Sequence, residues 1–198
     1  MTKAQLLFVF SFLILCACSP SSDSEMSEIF NGQNLDGWEV PEDNIWWRVE
    51  EGMLRAKSGP DQTGTILWTQ KAYDDFVVQA DFKMGEGTVD SGIFLRSDDQ
   101  QIQIGNSGSL KRDMTASPYI PGKGYPVEAE GVQELLDPDG WNTLKIRAKD
   151  NQYTTWLNGE EVMNYTSENV KEMGPIGLQM HPNRDMNIDF RNIKVMEL

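Results

Sequence analysis

Arg96, Gln101, Gln103, Gln179 and His181 recur at spacings that could bring them to one side of a sheet. Ile93 and Leu95 alternate with Phe94 and Arg96, and after the polar break Ser97-Asp98-Asp99, Ile102 and Ile104 alternate with Gln101 and Gln103. Strand side chains repeat with a period of two, so aliphatic residues that enter a core force Phe94, Arg96, Gln101 and Gln103 onto the opposite face. Ile176, Leu178 and Met180 repeat the device and turn Gly177, Gln179 and His181, the only histidine, the other way. Glutamine donates and accepts hydrogen bonds at once, and arginine adds a fixed cationic fork, which suits recognition of a polar small molecule. A plain solvated face is the competing reading, because antiparallel sheets commonly have one. The unperturbed imidazole pKa, about 6.5, would let His181 take a proton near neutral pH. A structural histidine is the alternative.

The elements that must carry these residues are strands. Phe76, Val78, Ala80, Phe82 and Met84 alternate with polar neighbours, Leu144, Ile146 and Ala148 do the same, and Asn158-Gly159 marks a two-residue hairpin turn. Met186, Ile188 and Phe190 run out of phase with Ile193 and Val195, which predicts a bulge near Arg191-Asn192. Many short strands without a βαβ rhythm predict an all-β sandwich of two antiparallel sheets in a single domain. One segment, Asn106 to Asp139, is rich in Gly and Pro and scarcely alternates. Such a long irregular stretch reads as a binding loop over the polar face, able to bring Lys111, Arg112, Tyr119, Lys123 and Tyr125, or as a decorative insertion. Trp46, Trp47, Trp68 and Trp156 are either core residues or sugar-stacking faces, and alternation opposes Trp156 to Tyr153, Thr155 and Leu157.

Lys3, the apolar run Leu6 to Leu15 and Leu15-Cys16-Ala17-Cys18 read as a lipoprotein signal over residues 1–17, cleaved before a lipidated Cys18. Residues 18–28 then form a polar tether, and residues 29–198 the folded domain. This predicts a lipid-anchored protein of the bacterial cell envelope, in the outer membrane or periplasm, touching the membrane only through the anchor. With 17 Lys and Arg against 31 Asp and Glu, a net charge of -14 disfavours nucleic acid and anionic surfaces and leaves neutral sugars open. No phosphate loop, usual zinc-ligand set, nucleophile elbow or paired-carboxylate glucanase strand appears. No cofactor is expected; Asp137-Pro138-Asp139-Gly140 is either a turn or a source of oxygen ligands for a divalent ion such as calcium.

Ile29-Phe30-Asn31-Gly32, Leu35-Asp36-Gly37-Trp38, Asp90-Ser91-Gly92-Ile93-Phe94-Leu95-Arg96, Gln103-Ile104, Trp156-Leu157-Asn158-Gly159, Gly174 to Gln179 with His181, and Phe190-Arg191-Asn192-Ile193 together resemble the 3-keto-disaccharide hydrolase family, also called 3-keto-glucoside 1,2-lyase/3-keto-2-hydroxy-glucal hydratase. The resemblance implies a concanavalin A-like jelly-roll fold. It also implies a sugar substrate oxidised at C3 by a partner oxidoreductase, so that the acidified C2 hydrogen can be removed and the C1 substituent expelled. In that scheme His181 shuttles the proton and Arg96 or Lys123 stabilises the enolate. Gln101, Gln103, Gln179, Asp90, Trp156 and Tyr125 bind the substrate. Two positions depart from the family pattern: Gln101 stands where an acidic residue is common and Lys111 where a tyrosine is usual. If that acid is the base, the protein binds without turnover or uses Asp90, Asp81 or Glu128.

Overall fold

The computed structural model describes residues 26–198; the signal and lipidation readings at Cys18 and before lie outside them. Fourteen strands run in chain order: β1 (Ser27–Glu28), β2 (Trp38–Glu39), β3 (Trp47–Glu50), β4 (Met53–Lys57), β5 (Thr65–Tyr73), β6 (Phe76–Gly87), β7 (Asp90–Leu95), β8 (Gln101–Gly105), β9 (Pro118–Tyr119), β10 (Asn142–Lys149), β11 (Gln152–Leu157), β12 (Glu160–Thr166), β13 (Gly174–Met180) and β14 (Met186–Glu197). A single helical turn, Val132–Leu135, lies in the long loop. β1 already pairs with β14, so the sheet begins inside the stretch read as tether.

Two antiparallel sheets form the sandwich. The larger has the order β12-β11-β10-β6-β14-β4-β3, with β1 against β14, and the smaller the order β2-β5-β13-β7-β8-β9. Between them lie the alternating apolar residues, among them Phe76, Val78, Phe82, Leu144, Ile146 and Phe190 from the larger sheet, and Leu67, Ile93, Ile102, Ile104, Ile176 and Leu178 from the smaller. All are shielded from water, and this shared burial fixes the register of every strand that carries the site. The bulge expected in β14 is present between Arg191 and Lys194, with Asn192 at φ 51°. Asn158 and Gly159, both at positive φ, turn β11 into β12.

Register across the smaller sheet places its outer face in rows. Trp68, Gly177, Phe94, Gln101 and Tyr119 are successive partners across β5, β13, β7, β8 and β9. One step along, Ile66 faces Gln179 and Gly92 faces Gln103. The long loop is tied down along the β8 edge of the sandwich, where it bonds to both sheets. Asn106 donates to the Val89 carbonyl at 2.7 Å, Gly105 donates to the Thr115 hydroxyl at 2.8 Å, and Thr155 donates to the Ala116 carbonyl at 3.0 Å.

Candidate functional site

β7, β8, the end of β13 and the loop after β8 enclose a hollow of about 440 Å³, within the range of small-molecule pockets. Asp90, Gln101, Gln103 and Gln179 form its floor, and His181 and Arg184 project from the turn that follows β13. Ser107, Tyr119 and Tyr125 close the loop side.

A chain of hydrogen bonds fixes the floor. Gln101 Nε2 donates to Gln179 Oε1 at 2.8 Å, to Ser91 O at 3.2 Å and to Gln103 Oε1 at 3.3 Å. Gln103 Nε2 donates in turn to Asp90 Oδ1 at 2.9 Å. Arg184 Nε donates to the other Asp90 oxygen at 3.2 Å. The Asp90 side chain is 3% exposed, and both its oxygens are engaged. Buried polar groups must be satisfied in this way, and a closed network holds its members in one geometry. Two glycines make the space. A Cβ on Gly92 would overlap the Gln101 side-chain nitrogen, and one on Gly108 would lie 2.8 Å from Arg184 Nη2 and 3.1 Å from Asp90 Oδ2.

His181 stands at the rim with its side chain 35% exposed. Its Nδ1 lies 2.7 Å from the Pro182 carbonyl oxygen and 3.8 Å from Asp90 Oδ2. A carbonyl can only accept, so in the neutral ring Nδ1 carries the hydrogen and Nε2 keeps a free lone pair. The tyrosine rings of the loop pack on each other, centroids 5.2 Å apart. Desolvation pushes the Tyr125 hydroxyl up to about 12, outweighing its Ser107 hydrogen bond, so it stays a donor throughout the neutral range.

The hollow thus unites seven of the residues singled out in the sequence: Asp90, Gln101, Gln103, Tyr119, Tyr125, Gln179 and His181. Three others are elsewhere. Arg96 leaves the strand at φ 63°, and its side chain, 1% exposed, turns to the end of the sandwich. There it donates to the carbonyls of Asp74 at 2.7 Å and Asp150 at 2.6 Å and to the Asp75 carboxylate at 3.0 Å. Lys123 pairs with Glu168 at 2.6 Å, away from the hollow. Trp156 lies on the outer face of the larger sheet, under the Lys145 ammonium 5.1 Å from its ring centroid. Of the other loop cations, Arg112 pairs with Glu128 and Lys111 is exposed. Asp137 Oδ1 accepts from Asp139 N at 3.1 Å, closing a turn. Among the described residues no group of three or more His, Cys, Asp or Glu side chains could hold a metal ion. Arg184 was not singled out; its only signal was a cation three residues beyond the sole histidine.

Residues 25–196 match the 3-keto-alpha-glucoside-1,2-lyase-like domain, nearly the whole described chain. The chain belongs to this family. Membership gives it a carbohydrate-related function. No curated protein matches it. Among solved structures, a candidate glycosyl hydrolase from Parabacteroides distasonis superposes with a TM-score of 0.69 at 22% identity, covering 91% of this chain and 98% of that one. A carbohydrate-binding module from Bacillus subtilis gives 0.55 at 16%, covering 81% and 96%. The carbohydrate recognition domain of Emp47p gives 0.58 at 15%, covering 89% and 99%. At these identities the likeness is one of fold, the concanavalin A-like sandwich.

Proposed function

We propose that this member of the lyase-like family cleaves glycosides whose C3 carbon is already a ketone. The observation that carries the proposal is the His181 ring, anchored through Nδ1 to the Pro182 carbonyl at the rim of a hollow floored by amides and flanked by the Arg184 guanidinium. Among the described residues Asp90 is the only carboxylate lining the hollow, and two-carboxylate glycoside hydrolysis requires a pair. The C3 ketone removes that requirement by acidifying the C2 hydrogen.

His181 Nε2 takes the C2 proton, and the C–H electron pair becomes the C2–C3 double bond of an enolate. The negative charge on O3 falls to the free guanidinium N–H groups of Arg184, a role for which the interior position of Arg96 is unsuited. Such preorganised charge stabilisation is typically worth a few kcal/mol in a shielded site. When the enolate collapses, the C3 carbonyl re-forms, the pair shifts to C1–C2, the C1–O bond breaks, and the imidazolium returns its proton to the departing oxygen. Water adding across C1–C2 completes hydrolysis. Gln101, Gln103, Gln179 and Tyr125 hold the sugar hydroxyls, and Asp90 holds Gln103 and Arg184 in place.

The supply of such a substrate calls for a partner oxidoreductase acting at C3, and the proposal places the protein at the cell envelope through a lipid on Cys18. Incubation with a 3-keto-glucoside is expected to release the aglycone and yield the 3-keto-2-hydroxy-glycal and then, on hydration, the free 3-keto sugar, while the unoxidised glucoside persists; release from neither compound would contradict the proposal. Gln101, at the position where a carboxylate is common in the family, favours a second reading: a non-catalytic carbohydrate-binding lipoprotein. It predicts saturable binding of unmodified glycans and no change of products with time.

A further inference from the structure

The hollow does not end at Gln179. On the far side of that residue the same sheet face continues into a second, open depression of about 660 Å³, and the two share Gln179, Pro182 and Asn183 as a common wall. Ile66 and Trp68 of β5 line its floor. Gly177, their neighbour on β13, is what lets the indole lie down: a Cβ there would stand 2.6 Å from Trp68 Cε3 and Cζ3. The ring also meets Phe94, centroids 5.7 Å apart at 40°, so its underside is packed while the residue stays partly open to solvent.

The outer wall of this depression is built into the fold. Asn183 donates to the Gln62 carbonyl at 2.7 Å, and Ser58 Oγ donates to the Arg184 carbonyl at 2.7 Å. Gly64 packs so closely on Pro182 that a Cβ would lie 2.5 Å from its ring. The segment 58–64 is therefore stapled to the turn that carries His181 and Arg184, and the two depressions keep a fixed relation.

The geometry points to this second depression as the subsite for the group attached at C1, with Trp68 as the residue that selects a sugar there. An elimination at C1 needs room for the departing group next to the hollow. A flat, partly desolvated indole flanked by Gln62, Thr63 and Asn183 matches a pyranose, which has one apolar C–H face and a polar edge. A methyl group would leave the indole uncovered. This inference rests on the proposed chemistry only for the direction of the leaving group.

The test uses the full chain carrying His181→Gln, so that substrate is held rather than consumed, and calorimetric binding of two probes: methyl 3-keto-glucoside and a glucosyl-glucose disaccharide oxidised at C3 of its non-reducing ring. The disaccharide is expected to bind at least tenfold more tightly. Trp68→Leu keeps apolar packing on Gly177 and Phe94 but presents no flat face; it should abolish most of that advantage and leave the methyl glycoside within twofold, and Trp68→Phe should restore part. Equal affinities with Trp68 present, an advantage that survives Trp68→Leu, or no binding of either probe overturns the subsite. Aglycone release by the protein with His181 intact is scored separately, since a Trp68-dependent preference without release contradicts the elimination chemistry and leaves the subsite standing.

Discussion

At the scale of single residues, Arg96 is held in the interior, and Arg184 is the arginine that lines the hollow. Arg96 satisfies four main-chain carbonyls, those of Asp74, Ala148, Asp150 and Lys171, and the Asp75 carboxylate where the sheet ends, and truncating it would strand these acceptors out of reach of good replacements. Arg96→Met is therefore expected to cost about 3 kcal/mol in chemical denaturation, with turnover per folded molecule unchanged. Tyr125 makes a prediction in pH. Its hydroxyl, shifted upward by burial, stays protonated in the folded state after it would ionise in the unfolded chain. A raised folded-state value means stability that is complete below about pH 10 and declines as pH climbs toward about 12. Tyr125→Phe should flatten that part of the stability profile; identical alkaline profiles would show that the ring is not shielded. Tyr153, also pushed upward by burial, contributes a parallel loss that this substitution leaves in place.

At the scale of elements, the period of two in β7, β8 and β13 carried most of the site, because burial of one face leaves the other no freedom. It failed where the strand stopped. Arg96 continues the alternation on paper, but its left-handed backbone starts the turn and swings the side chain off the face. Trp156 failed differently: alternation correctly set it against Tyr153 and Leu157, yet a sandwich has two outer faces, and only strand order tells which one a residue joins. Arg184 lies in a turn, where no periodicity operates. Its placement depends on Gly108, so Gly108→Ala should displace the guanidinium. A displacement of about 1 Å can cost on the order of a hundredfold in turnover. Because Gly108 sits in the loop and not in the core, the melting temperature should hardly move. Loss of turnover together with a large drop in melting temperature would instead make this glycine a scaffold residue.

At the scale of the molecule, the all-β sandwich was legible from strand rhythm and turn residues, since Asn158-Gly159 and the out-of-phase β14 have few other solutions. Local pattern gave each strand its polar face and suggested a shared side, but not that β13 lies between β5 and β7, the long-range pairing that brings Gln101 to Gln179. The proposed location at the cell envelope is a property of the whole molecule. Cys18→Ser is expected to move the protein from the membrane fraction to the soluble fraction, as loss of the acyl chains removes the only membrane contact proposed; unchanged membrane association would contradict a lipid anchor at Cys18.

The central claim is that the His181 imidazole removes the proton next to a ketone. The most direct measurement follows hydrogen exchange at C2 of a 3-keto-glucoside in deuterated water by nuclear magnetic resonance, alongside aglycone release. The unaltered protein should bring about both, and His181→Gln should slow both by about a hundred- to ten-thousand-fold. Exchange and release at undiminished rates in His181→Gln would contradict the account.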